Sequence, residues 1–344
     1  MTDSPAATGL GLPMLDGTPA PVVLDPAVVA DLQAEIRALA AEKNAVILAH
    51  NYELPEVQDV ADFVGDSLGL SREGARCEQQ NIIFCGVHFM AETASILSPE
   101  KHVYIPDLDA GCSLADSITA DQLREWKGNH PGSTVVMYVN TTAEVKAETD
   151  WCVTSSNAVA VVERILEEKG ADHEILFGPD MFLGAVVERE IGRGMHVWDG
   201  ECHVHAGIKP SDIEAVRGEH PGAEFLVHPE CGCTTQVLEY VAAGDIDAKG
   251  VSILSTGGML DYVKEHPGGT KIIATETGML HPLQIADPTA TLIPANRMAA
   301  CKYMKMITLP KVLEALREDQ FEVKVPEAVA SLARVPIERM VSVG

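Results

Sequence analysis

Short apolar runs that end in polar residues at alternate positions recur three times along the chain: VILAHNY (46–52), VVMYVNT (135–141) and FLVHPE (225–230). Runs of this length rich in Val, Ile and Leu predict buried strands. Residues i and i+2 of a strand share a face, so the pattern pairs His50 with Tyr52, Tyr138 with Asn140, and His228 with Glu230. The pairs are themselves periodic: His50 lies 88 residues before Tyr138, which lies 90 before His228.

Three further landmarks keep this period. A hydroxyl-bearing cluster opens a helical pattern at GDSLGLS (65–71), VTSSNAV (153–159) and LSTGGML (254–260). A strand running into a helix follows as IIFCGVHFMAETASIL, ILFGPDMFLGAVV and IIATETGMLHPLQ. A closing strand, VYIP, HVW or TLIP, then leads within seven residues to Cys112, Cys202 or Cys301, spaced 90 and 99 apart. The third repeat carries roughly ten extra residues between its first two landmarks. Similar joins, KGNHPGSTVVMYVN and RGEHPGAEFLVHPE, lead into the second and third repeats.

Alternating strand and helix signals predict parallel βα units with functional groups at the carboxyl ends of strands. The expected fold is α/β: three α/β/α domains related by a pseudo-threefold axis, with parallel sheets and the active site at their junction. Residues 1–24 read as a disordered tail before a helix near Asp25. The repeats are expected over 25–112, 113–202 and 203–301, with amphipathic helices in 302–344 packing back to complete the first.

Composition narrows the partners. The formal charge of −26 repels nucleic acid and anionic membrane surfaces, so neither is expected. No apolar run approaches the roughly 20 residues of a transmembrane helix. The first 24 residues lack a basic signal-peptide start, which points to a cytoplasmic protein whose eight cysteines stay reduced.

Three cysteines, one per repeat, would meet on a pseudo-threefold axis. An iron–sulfur cubane held by three thiolates keeps one iron open to substrate, where it acts as a Lewis acid. Taken singly, each would read as a buried core thiol. Cys77, Cys85, Cys152, Cys231 and Cys233 have no repeat mates and read as core, with a redox role for the last two as the alternative. His50, His228, Tyr52 and Glu230 are candidate acid–base groups, and a desolvated Glu230 would have a raised pKa suited to a general base. Ser67, Ser155, Ser255 and Thr256 open helices and suit carboxylates or phosphate, against the plainer reading as N-caps. His203 and His205 with His228 offer a zinc alternative that leaves the cysteine repeat unexplained. An electron-transfer protein, a cluster-free scaffold and a zinc hydrolase are the rival classes.

From about residue 44 to 340 the chain resembles the quinolinate synthase family. The likeness rests, in order, on AHNYELPEVQDVADFVGDSLGLS, CGVHFMAETASIL, IPDLDAGCSLADSI, YVNTTAEVKAETD, TSSNAV, HPEC, STGGM and CKYMKM. The resemblance implies a 4Fe–4S cluster on Cys112, Cys202 and Cys301. It implies condensation of iminoaspartate with dihydroxyacetone phosphate to quinolinate, with loss of phosphate and water, for NAD synthesis. It also implies His50, Tyr52, Ser67, Tyr138, Asn140, Ser155, His228, Glu230 and Thr256 in the site. A transient contact with the enzyme that makes iminoaspartate is left open. Some members carry C-x2-C-x2-C at the last ligand; this chain has Cys301 alone there.

Overall fold

A computed structural model describes residues 23–343 apart from 235–236 and 238–249. Its twelve strands are β1 (Ala45–His50), β2 (Phe63–Gly65), β3 (Asn81–Cys85), β4 (His102–Tyr104), β5 (Thr134–Tyr138), β6 (Trp151–Val153), β7 (Ile175–Gly178), β8 (His196–Val197), β9 (Glu224–Val227), β10 (Val251–Ile253), β11 (Thr270–Ala274) and β12 (Thr291–Pro294). They form three four-stranded sheets ordered β2-β1-β3-β4, β6-β5-β7-β8 and β10-β9-β11-β12. Every ladder in them is parallel. The same order three times over is the repeat seen in the sequence, realised as three α/β units.

Strands buried on both faces in a parallel sheet need near-continuous apolar runs. β1 is buried at all six positions, and β5 at all five. The helices entering β5, β9 and β11 each end in the tripeptide His-Pro-Gly, whose glycines Gly132, Gly222 and Gly268 have φ of +91°, +89° and +75°. Proline at the second turn position and a positive-φ glycine at the third make a tight reversal that stops the helix and aims the chain into the strand.

Asp25 caps the first helix, Pro26–Glu42, by accepting from Ala27 N, as the sequence reading placed it. The tail expected over 1–24 lies, up to residue 22, outside the described residues. Helix Leu309–Glu318 packs on Pro26–Glu42 and β3, within the first repeat. The last helix, Glu327–Val341, packs on His88–Leu97 of the first repeat and also reaches across the seam to Ala143–Ala147 and β6 of the second. Side chains pin that seam: Asn157 Nδ2 donates to Met340 O at 3.0 Å, and Arg334 Nε to Ile96 O at 2.9 Å. No helix among the described residues is long and apolar enough to cross a membrane.

Candidate active site

The carboxyl ends of β1, β5 and β9 deliver His50, Tyr138 and His228 to a common cleft. Each cysteine loop is then fastened by the same backbone bond. The first amide of the helix after the third strand donates to the carbonyl two residues before the cysteine. The pairs are His88 N to Ala110 O (2.8 Å), Met181 N to Gly200 O (2.9 Å) and Thr277 N to Ala299 O (2.8 Å). In the second and third repeats a buried carboxylate adds a second tie. Asp180 accepts from the Cys202 backbone N–H, and Glu276 Oε1 accepts from Cys301 N at 2.8 Å.

Each cysteine is followed by a short helical turn: Ala115–Ser117, His203–Ala206 or Met304–Met306. Backbone N–H groups of that turn point back at the sulfur. Leu114 and Ala115 serve Cys112, His205 serves Cys202, and Tyr303 and Met304 serve Cys301. Such donors favour a thiolate. Burial works against them, pushing Cys112 up to about 12, Cys301 to about 11 and Cys202 well above the ordinary thiol value. A cationic centre among the three sulfurs would offset that desolvation.

The cleft is lined by His50, Tyr52, Ser67, Tyr138, Asn140, Ser155, His228, Glu230, Thr256 and the three cysteines. The structure therefore brings together every candidate residue except Ser255. That hydroxyl caps helix Thr256–Glu265 by accepting from Gly258 N at 3.2 Å, while Thr256 at the first helical position faces the cleft. Asn140 Oδ1 is buried without a hydrogen-bond partner, as expected of an atom that awaits a ligand.

The i, i+2 pairs turn out to be more than shared strand faces. His50 Nδ1 accepts from Tyr52 N at 3.2 Å, and His228 Nδ1 accepts from Glu230 N at 3.4 Å. Both rings therefore present a protonated Nε2 away from the strand, and Ser155 Oγ lies 3.4 Å from that of His228. Burial, with the nearby Lys305 cation and His205 ring, lowers His50 to about 3; burial also holds His228 well below its usual range. These imidazoles are neutral at physiological pH.

Glu230 is buried, accepts the Tyr138 hydroxyl proton and lies 3.3 Å from His205 Nδ1. Burial and the neighbouring Asp180 carboxyl raise it to about 8. Tyr52 Oη is 2.6 Å from Thr275 Oγ1 and 3.3 Å from His205 Nε2. His205 thus links Tyr52, Thr275, Glu230 and, at 3.2 Å, Cys202 Sγ. Behind this layer Lys305 pairs with Glu276 at 3.0 Å and donates to Tyr52 O.

The central role of His205 escaped the sequence reading, which weighed it only as part of a zinc site with His203 and His228. His203 instead bonds Ser113 Oγ at 2.7 Å. Asp180, Glu276, Thr275 and Lys305 were also missed. Aligning ILFGPD with IIATE would have shown an acidic residue near the end of both segments, although the first repeat has none there. Cys231 and Cys233 are buried, as the core reading has them, but they are joined as a disulfide, against the expectation that all eight cysteines stay reduced. Their i, i+2 spacing in the turn after Glu230 puts both side chains on one side of the chain.

What the thiols can hold follows from their spacing. Three thiolates on one zinc, with Zn–S near 2.3 Å, sit about 3.8 Å apart. Among the described residues, Cys112, Cys202 and Cys301 do not gather to within 4.8 Å of one another, yet all three face one cleft. As they stand, the three sulfurs are not gathered closely enough to share a single ion. Cys202, His205 and Glu230 do gather within 4.8 Å, but a lone ion there leaves Cys112 and Cys301 without a part.

Fold and site together define a class: a parallel α/β chain of three like repeats, each contributing one cysteine and a set of polar strand-end groups to one buried cleft. The family model described as "Quinolinate synthetase A protein" matches residues 34–342, and the chain belongs to that family. It is 56% identical over 312 residues to the quinolinate synthase of Mycobacterium sp. strain KMS, covering 90% of this chain and 91% of that one. It is 55% identical to that of Mycobacterium tuberculosis strain H37Rv and 54% to that of Mycolicibacterium paratuberculosis strain K-10, each over 90% of this chain and 88% of the relative.

Proposed function

We propose that the chain condenses iminoaspartate with dihydroxyacetone phosphate to give quinolinate, phosphate and water. It would do so with a 4Fe–4S cluster held by Cys112, Cys202 and Cys301. The observation that carries this reading is the convergence of one cysteine from each repeat, each met by backbone N–H donors, on a cleft lined by acid–base groups. When bound, the cluster supplies a Lewis-acidic iron with one open position, suited to drawing off a hydroxyl.

The remaining roles belong to side chains. Ser67 and Thr256 stand at the first positions of their helices, where free amides and the helix dipole hold carboxylate or phosphate. Ser155 and Asn140 add donors and an acceptor from the second repeat. His50 and His228, neutral with Nε2–H, donate to carbonyl or carboxylate oxygens without adding charge. Tyr52, backed by Thr275 and His205, passes protons in the carbonyl–enol steps. Glu230 takes the proton in the final dehydration, and a carboxyl titrating near neutrality can both accept and return one.

The test is an anaerobic assay of cluster-reconstituted protein for quinolinate from dihydroxyacetone phosphate and freshly generated iminoaspartate. Air-sensitive product formation supports the reading. Cys112→Ala, Cys202→Ala and Cys301→Ala should each lose the brown absorbance, and Cys77→Ala should keep it. A Cys301→Ala protein with full iron and activity would overturn the ligand assignment. Full iron and sulfide without product would overturn the substrates.

A further inference from the structure

On the far side of the second sheet from the cleft, three metal-binding side chains surround a gap. His130 ends helix Ala120–Asn129, Glu174 directly precedes β7, and His196 is the first residue of β8. They lie at or just before the amino ends of β5, β7 and β8, whereas the candidate active site uses the carboxyl ends of the strands. His130 Nδ1 lies 3.9 Å from Glu174 Oε2, and His196 Nε2 lies 4.0 Å from Glu174 Oε1. One donor atom from each of the three lies within 4.8 Å of the others, and the two imidazole centroids are 4.1 Å apart.

None of these separations is a hydrogen bond. The histidines face Glu174 at the outer limit of an ion pair, which each makes only when protonated. In a tetrahedral zinc site with bonds near 2.0–2.1 Å, donors stand roughly 3.4 Å apart. The two shortest separations run to different oxygens of Glu174, and the full set of three donors lies within 4.8 Å, so closing takes between about 0.5 and 1.5 Å, which half-buried and exposed side chains supply by rotation. We propose that His130, Glu174 and His196 form a second, peripheral binding site for a divalent cation of the zinc type, with solvent water completing its coordination.

The donor set decides the class of ion. Two imidazoles and a carboxylate suit zinc and its neighbours, not calcium or magnesium, which take oxygen ligands. The site is not a by-product of the repeat. The His-Pro-Gly turn recurs at His220 and His266 with nearly the same backbone angles at each histidine, φ and ψ of −126°, 64° and −124°, 69° against −129°, 66° at His130. Among the described residues, only the turn at His130 is joined by two further donors. The ion would tie the entry turn of β5 to the starts of β7 and β8, which are adjacent in the sheet.

The experiment uses the full chain with its cluster reconstituted, so that the cleft cysteines are occupied, and titrates zinc chloride anaerobically by calorimetry. One zinc per chain is expected, with affinity weakened roughly tenfold or more in His196→Ala and in Glu174→Gln. Cluster absorbance and quinolinate-forming activity should match the parent. X-ray absorption of the zinc-loaded protein should show only nitrogen and oxygen neighbours. Three results would overturn the site: no zinc bound, unchanged binding in His196→Ala, or sulfur in the zinc shell, which would put the ion on a cleft cysteine. Circular dichroism of both variants confirms that the exposed substitutions leave the fold intact.

Discussion

The buried pair of Glu276 and Lys305 offers the most demanding test of how the cleft is supported. Glu276 is fully buried and Lys305 8% exposed, with 3.0 Å between Nζ and Oε1. Oε1 also receives the Cys301 amide, and Oε2 the Gly278 amide at 2.6 Å. Lys305 reaches the carbonyl of Tyr52 as well. Burial raises the Glu276 carboxyl, while Lys305 and the two amides pull it back. Removing one partner of such a pair leaves a buried charge uncompensated and costs about 3–5 kcal/mol, whereas removing both together is often near neutral. Glu276→Gln and Lys305→Met should each lower stability by about 3–5 kcal/mol, read from urea unfolding followed by circular dichroism. The double variant should lose much less than their sum, with a coupling energy of about 2 kcal/mol or more. Additive losses would refute the pair as a unit and leave Lys305 a plain donor to Tyr52 O. Iron content after reconstitution gives a second readout. Glu276→Gln should lower it and Lys305→Met should lower it less, because only Glu276 holds the Cys301 amide.

Three other substitutions test separate steps. In Gly278→Ala the new methyl would meet Glu276 Oε2, Lys305 Nζ and Tyr52 O, each at 2.8 Å. Since Tyr52 O is backbone, it should cost about 1–3 kcal/mol in the same urea assay. Glu230→Gln should keep the cluster absorbance and lose turnover by roughly 10²-fold or more, as removal of a general base does; a rate near the parent value excludes Glu230 as the base. Glu148 accepts from Arg124 at 3.0 Å and Lys127 at 3.1 Å, and these donors outweigh its partial burial and hold its pKa below the usual value. A depressed folded pKa stabilises above the unfolded value and is lost as pH falls through the folded one. Glu148→Gln should therefore cost about 0.5–1 kcal/mol at pH 7, and the difference should fade as pH falls below the ordinary glutamate range and at high salt.

The cleft also shows how a chain of formal charge −26 could receive anionic molecules. His50, His205 and His228 are neutral, and Glu230, raised to about 8, is mostly protonated at pH 7. Two further carboxylates line the cleft, Asp66, which caps helix Ser67–Arg76 by accepting from Gly69 N at 2.7 Å, and Glu276, paired with Lys305; beside them stand the N–H and O–H donors of the strand ends and of the helix starts at Ser67 and Thr256. Over distances beyond the roughly 8–10 Å of ionic screening the surface charge carries little weight. An anion that arrives meets oriented dipoles, which hold it without the cost of burying further cations.

Why some of this was legible in the sequence and some was not follows from where the symmetry lies. The threefold period is a property of the backbone: one sheet order, one amide-to-carbonyl bond before each cysteine, and one helical turn after it. Those features leave regular traces in hydrophobic spacing, so the strands, the cysteines and nearly all strand-end residues could be placed by counting. Ser255 misled because an N-cap and an anion-binding hydroxyl look alike in sequence; only the direction of the side chain separates them. The side chains that make the cleft asymmetric obey no period. His205 matters because its ring lies between Tyr52 and Glu230, which stand 178 residues apart in the chain. Lys305 lies beyond the last repeat, yet its ammonium reaches the carbonyl of Tyr52 in the first. A repeat can position three equivalent loops, but reaction at one centre requires the three to differ. The residues that supply the difference are therefore the ones that a search for periodicity passes over.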